Sequence, residues 1–91
     1  MTDEPHGSHA LVAKRLRRAE GHLRSVVAML EDGRPCLDLA QQLHAIERAV
    51  SEAKRLLIRD HIDHCLEDAM EQTGAKRRHA MDEFRQITKY L

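Results

Sequence analysis

Residues 36–72 read CLDLAQQLHAIERAVSEAKRLLIRDHIDHCLEDAMEQ, a run without glycine or proline. Within it Leu39, Leu43, Ile46, Val50, Ala53 and Leu57 alternate at spacings of four and three, which places them on one face of an α-helix. Ile58, Ile62 and Leu66 add a second apolar row. An unbroken helix here is a rod more than about 50 Å long at 1.5 Å per residue. Its two apolar rows call for two partners, because each row is stable only when covered.

The flanking residues repeat the theme. Val12, Leu16, Ala19, Leu23, Val26 and Leu30 form a second stripe at the same spacing, predicting a helix over 9–31 with Ser8 as its N-cap. Gly21 inside it costs about 1 kcal/mol relative to Ala, and reads as a mark of close helix approach. Asp32-Gly33-Arg34-Pro35 separates the two helices: Gly suits a left-handed cap, and Pro suits the first turn that follows. Thr73-Gly74 stops the long helix. A third is predicted over 76–90, with Met81, Phe84, Ile87 and Leu91 apolar. Residues 1–7 read as a flexible arm. No strand or hairpin signal is present.

The fold class is therefore all-α: one domain over 1–91, a long antiparallel helix hairpin plus a short C-terminal helix. A four-residue turn forces the hairpin. Such a hairpin leaves one side open, and pairing two copies as a four-helix bundle closes it. With only 2% aromatic residues and 33% charged, the composition suits long helices that bury a stripe against a partner. No apolar run is long enough to cross a membrane. The polar, acidic start Met1-Thr2-Asp3-Glu4-Pro5 is unlike a secretory signal, so a cytoplasmic protein with free thiols is expected.

Two cysteines carry the most specific chemistry. Cys65 closes His61-Ile62-Asp63-His64-Cys65, and on a helix His61 and Cys65 share a face. Cys36 stands alone, about 37 Å from His61 along an unbroken helix. One chain cannot bring these three side chains together, whereas two antiparallel copies with their midpoint near Ala49 and Val50 can. Two thiolates and an imidazole suit Cu(I), Zn(II) and related ions. Three ligands suffice for trigonal Cu(I), while structural zinc takes four. His64 is a candidate fourth ligand, although adjacent helical side chains diverge by about 100°. His6 and His9 on or beside the arm are others. Two further readings use the same residues. In one, Cys36 packs as a small apolar residue and the histidines are surface groups. In the other, oxidation or persulfide chemistry bridges the two thiols, which gives His61 no role.

The formal net charge is zero, but its distribution is uneven. Lys14, Arg15, Arg17, Arg18 and Arg24 fall in one helical segment with only Glu20 opposing them, and Arg48, Lys54, Arg55 and Arg59 follow on the second helix. This is a candidate phosphate-contacting face, competing with a plain solvated surface. No helix-turn-helix is visible, so contact with DNA falls to the bundle surface, through phosphates and shape. No nucleophile elbow, phosphate loop or dinucleotide-binding glycine pattern occurs, which argues against an enzyme. A helical scaffold or adaptor with incidental thiols is the reading from another class.

With these residues in view, the chain resembles the CsoR/RcnR family of bacterial metal-sensing repressors over nearly its whole length. The resemblance rests on Lys14–Leu30 (KRLRRAEGHLRSVVAML), the isolated Cys36, Gln41-Gln42-Leu43, and the His61/Cys65 pair. The Cys, His, Cys combination looks like the copper-sensing CsoR branch. That resemblance implies a dimer of hairpins associating into a tetramer, bound to operator DNA when metal-free and released by Cu(I), so that copper export or detoxification genes are expressed. It also implies that Cys36 of one protomer and His61 and Cys65 of another hold the ion, that Glu83 is a carboxylate supporting them, and that Arg15 contacts DNA. The chain departs from the pattern at two positions: Pro35 stands where the family has a tyrosine, and Glu52 where it has a second basic residue, whose role would pass to Arg48 or Arg55. Sister branches supply alternatives. Ni(II)/Co(II) sensors place His at position 65 and use an N-terminal His. Formaldehyde sensors use a Pro after Met1, where this chain has Thr2. Persulfide sensors lack the His at position 61.

Overall fold

The computed structural model describes residues 7–91. The arm expected over 1–7 lies, but for Gly7, outside them, as does His6. In chain order the elements are α1 (His9–Glu31), α2 (Cys36–Glu71), α3 (Gly74–Ile87) and a single 3₁₀ turn (Thr88–Tyr90). Among the described residues there is no strand. α1 and α2 pack along their lengths as an antiparallel hairpin, and α3 folds back onto α2. The result is long and thin, 59 × 29 × 14 Å, with its least dimension close to a single helix diameter. Among the described residues no helix is long and apolar enough to cross a membrane.

The turn between α1 and α2 follows from its sequence. Gly33 adopts φ +74°, the left-handed conformation that costs glycine nothing. Its N–H donates to the Leu30 carbonyl, and that of Arg34 to the Met29 carbonyl, closing a Schellman cap. Pro35 sits one place before the expected first turn, extended at ψ 143°, and its carbonyl accepts the N–H of Leu39. Two further expectations are corrected here. Ser8 occupies the N-cap position of α1 but makes no side-chain capping bond. Its own backbone is already helical, unlike the extended backbone that aims a capping hydroxyl at the first turn. At Gly21 nothing lies within 4 Å of where a Cβ would stand, so this glycine marks no close approach within the hairpin.

Each stripe read from the sequence divides into two sets. Val12, Ala19 and Val26 of α1 are buried, together with Ile46, Ala53 and Ile58 of α2. Leu16, Leu23 and Leu30, in the same stripe, stay 42–57% exposed, and Leu43, Val50 and Leu57 of α2 stay 38–45% exposed. Leu16 and Leu57 line one shallow groove, so the bare rows of the two helices adjoin. On α1 the smaller side chains seal the hairpin and the leucines face outward. Across the hairpin His22 Nε2 hydrogen-bonds the side-chain oxygen of Gln42.

Candidate metal centre and basic face

The centre is built from the C-terminal half of α2 outward. His61 and Cys65, four apart on α2, come to one face by helix geometry alone. Gln72 and Thr73 are extended, which breaks the helix and turns α3 back along α2. Small residues, Ala69 on α2 and Ala80 on α3, are buried in this half of the molecule. The fold-back brings Glu83 into play: one donor atom each from His61, Cys65 and Glu83 lie within 4.8 Å of one another, and no other such trio exists among the described residues. Cys65 is only 5% exposed, His61 half-buried, and Glu83 exposed. A cleft of about 330 Å³ opens beside them, lined by His61, Glu83, Gln86, Ile87 and Tyr90.

Burial pushes the Cys65 thiol above its ordinary range, and the Glu83 and Asp68 carboxylates push it further the same way. A neutral thiol therefore waits beside a carboxylate, and a cation entering the group would displace its proton.

The other sequence-predicted ligands lie elsewhere. Cys36 is exposed at the first position of α2. Because α2 runs unbroken from Cys36 to Glu71, that thiol stands about 37 Å along the rod from His61 at 1.5 Å per residue. His64 turns back on its own helix: Nδ1–H donates to the Asp60 carbonyl at 2.8 Å, with the Asp60 carboxylate 3.6 Å away. That carbonyl raises the His64 pKa most, and the Asp60, Glu67 and Asp68 carboxylates add to it. His9, the first residue of α1, lines an apolar groove with Val12, Ala13, Leu16 and Leu57, away from the trio. His6 is outside the described residues.

The hairpin also gathers arginines. Arg15 and Arg18 line a groove with Ala19, His22, Ala49 and Glu52. Arg15 also lines a neighbouring one with Glu52, Arg55, Leu56 and Arg59. Four guanidinium groups from two helices thus surround one carboxylate, and Arg15 is common to both grooves. Lys14, Arg17 and Arg48 are exposed but line neither groove. Spacing alone could not reveal which basic residues converge, because convergence depends on how α1 and α2 are rotated against each other. The same holds for Glu83, whose position follows from the return of α3.

Residues 8–90 match a family described as metal-sensitive transcriptional repressor. The copper-sensing transcriptional repressor RicR of Mycobacterium tuberculosis is 36% identical over 62 residues, covering 68% of this chain and 65% of that protein. The chain thus matches slightly less than two thirds of that relative's length. The copper-sensing transcriptional repressor CsoR of Bacillus subtilis is 31% identical over 80 residues, 86% of this chain and 79% of that protein. Among solved structures, the nickel-responsive transcriptional regulator InrS superposes over 100% of both chains with a TM-score of 0.80, at 26% identity.

Proposed function

We propose, from the premise that the chain belongs to the metal-sensitive transcriptional repressor family, that it holds operator DNA when metal-free and releases it on binding Cu(I). It acts as a homodimer or homotetramer in the cytoplasm, without a membrane partner. Cys36 of one protomer and His61 and Cys65 of another are the ligands. Copper-sensing relatives support the choice of ion, and so does the donor chemistry, since two thiolates favour a soft monovalent ion. The observation that carries the reading is the unbroken α2, which keeps Cys36 and the His61/Cys65 pair at opposite ends of one rod. The bare leucine rows between those ends support a second hairpin as the source of the missing thiol. InrS, a nickel-responsive protein of the same fold, keeps Ni(II), Co(II) and Zn(II) as alternative inducers. These ions are harder than Cu(I) and gain less from a second sulfur.

On the DNA side, Arg15, Arg18 and Arg55 are the contacts, with Lys14, Arg17 and Arg48 at their margin. They bind phosphates rather than base edges, since among the described residues α1 and α3 both pack along α2 and none of the three is a separate recognition helix. Metal and DNA oppose each other by linkage: the conformation that coordinates metal binds DNA less well, with a coupling typically of about 1–3 kcal/mol. His61 is the lever, because it is a ligand rooted in the C-terminal half of the rod that also carries Arg55.

The test uses fully reduced protein on a duplex selected from a GC-rich pool, with DNA release followed by fluorescence anisotropy as Cu(I) is added under nitrogen. Wild type releases the duplex at one equivalent per site. His61→Ala still takes up Cu(I) through two thiolates but keeps its DNA. Release from His61→Ala as complete as from wild type removes His61 from the mechanism, and a wild type indifferent to Cu(I) removes the copper reading.

A further inference from the structure

We propose that Glu83 is itself a metal ligand, and that His61, Cys65 and Glu83 of a single protomer bind a divalent borderline cation, Zn(II) or Co(II), without Cys36. The proposal rests on the sensor reading only in sharing two residues with it, and the two can fail separately.

The geometry is already close. The three donor atoms lie within 4.8 Å of one another. Around a tetrahedral ion with bonds of about 2.0–2.3 Å, donors stand roughly 3.3–3.8 Å apart. Side-chain rotation of about 1 Å closes that difference. Glu83 is exposed on α3 and free to make it, while Cys65 is anchored in the core. A nitrogen, a sulfur and an oxygen form a borderline set, less suited to Cu(I) than a pair of thiolates.

Charge points the same way. A thiolate and a carboxylate beside a neutral imidazole total −2, which a divalent ion cancels next to a buried sulfur. Uncompensated charge in such a place is costly. The cleft bounded by Gln86, Ile87 and Tyr90 opens on His61 and Glu83, leaving room for water at a fourth position. Three protein ligands and one open position make an exchangeable site rather than a closed structural one. The chain then has two overlapping ligand sets that share His61 and Cys65: one completed across subunits by sulfur, the other within a subunit by oxygen.

Co(II) is the probe, titrated anaerobically into full-length reduced protein and followed by thiolate-to-cobalt charge-transfer absorption. Cu(I) affinity is measured in parallel by competition. Wild type and Cys36→Ala should bind Co(II) alike, one per chain, while Cys36→Ala loses tight Cu(I) binding. Glu83→Gln should weaken Co(II) by more than about 100-fold, beyond what loss of a merely supporting hydrogen bond costs, and change Cu(I) affinity far less. Unaltered helical circular dichroism checks that the variant is folded. Three results overturn the proposal: wild-type Co(II) affinity in Glu83→Gln, equal loss of both ions in that variant, or loss of Co(II) in Cys36→Ala. If wild type fails to bind Cu(I) tightly while the Co(II) pattern holds, the copper reading falls and this site stands.

Discussion

Leu23 is the residue whose truncation most directly tests whether the hairpin is half of something larger. It lies midway along α1 and is 46% exposed, in the row it forms with Leu16 and Leu30. Removing a fully buried leucine side chain costs about 2–5 kcal/mol. The part of Leu23 already covered inside the hairpin is lost equally from monomer and dimer, so it cancels. Scaling the core value by the 46% that only a partner can cover leaves about 1–2 kcal/mol per copy. Two-fold symmetry places two copies in one interface, so Leu23→Ala should weaken dimerisation by about 2–5 kcal/mol. At 1.4 kcal/mol per decade that is about 30-fold to a few thousand-fold in the dissociation constant. Leu11 provides a matched control. It is 44% exposed on the same helix but more than about 90° around it at 100° per residue. Sedimentation velocity over a concentration series of metal-free protein reads both variants. Equal effects from Leu11→Ala and Leu23→Ala, or none from either, refute the assignment of the leucine rows to a dimer contact. Where dimerisation is lost, tight Cu(I) binding should be lost with it, because Cys36 then has no partner pair to join.

Three further outcomes are expected. Arg15→Ala should lower DNA affinity across sequences without touching metal uptake, and reduce the slope of log affinity against log salt by about 1 per contact removed; an unchanged slope takes Arg15 off the DNA. In metal-free protein, iodoacetamide followed by mass spectrometry should find exposed Cys36 alkylated well before buried Cys65. A raised thiol pKa means less thiolate at any given pH, so the Cys65 rate profile lies toward higher pH, and Glu83→Gln should shift it back down by removing one repelling carboxylate. Gly33→Ala should destabilise the protein by about 1–2 kcal/mol, because φ +74° forces a Cβ against the following carbonyl; an unchanged Tm would mean that the turn can rearrange.

The helices were legible because their signals are local. Apolar spacing and the glycine at the turn predict 9–31 for the first helix, which is where α1 lies, and 36–72 for the second against Cys36–Glu71 observed. The third begins two residues earlier than expected, since the break falls at Gln72 and Thr73 rather than after Gly74. What spacing could not reveal is which half of each stripe faces inward. Val12, Ala19 and Val26 recur every seven residues, and so do Leu16, Leu23 and Leu30. The period treats the two sets alike, and side-chain size separates them. The Val/Ala set lets α1 and α2 approach closely, so the hairpin seals along it and the α1 leucines are left outside. The proposed metal ligands divide in the same way. Two of them are a helix-spaced pair that needs only α2, whereas Glu83 depends on the return of α3 and Cys36 on a rod that never bends. The same molecule that cannot bury its leucines alone therefore cannot assemble the Cys36, His61, Cys65 set alone. Both deficits lie along one rod, so a single partner hairpin in antiparallel register would remedy them together. Burial of the leucine rows would then set up metal capture by the two thiolates, and both would be sensitive to the same substitutions.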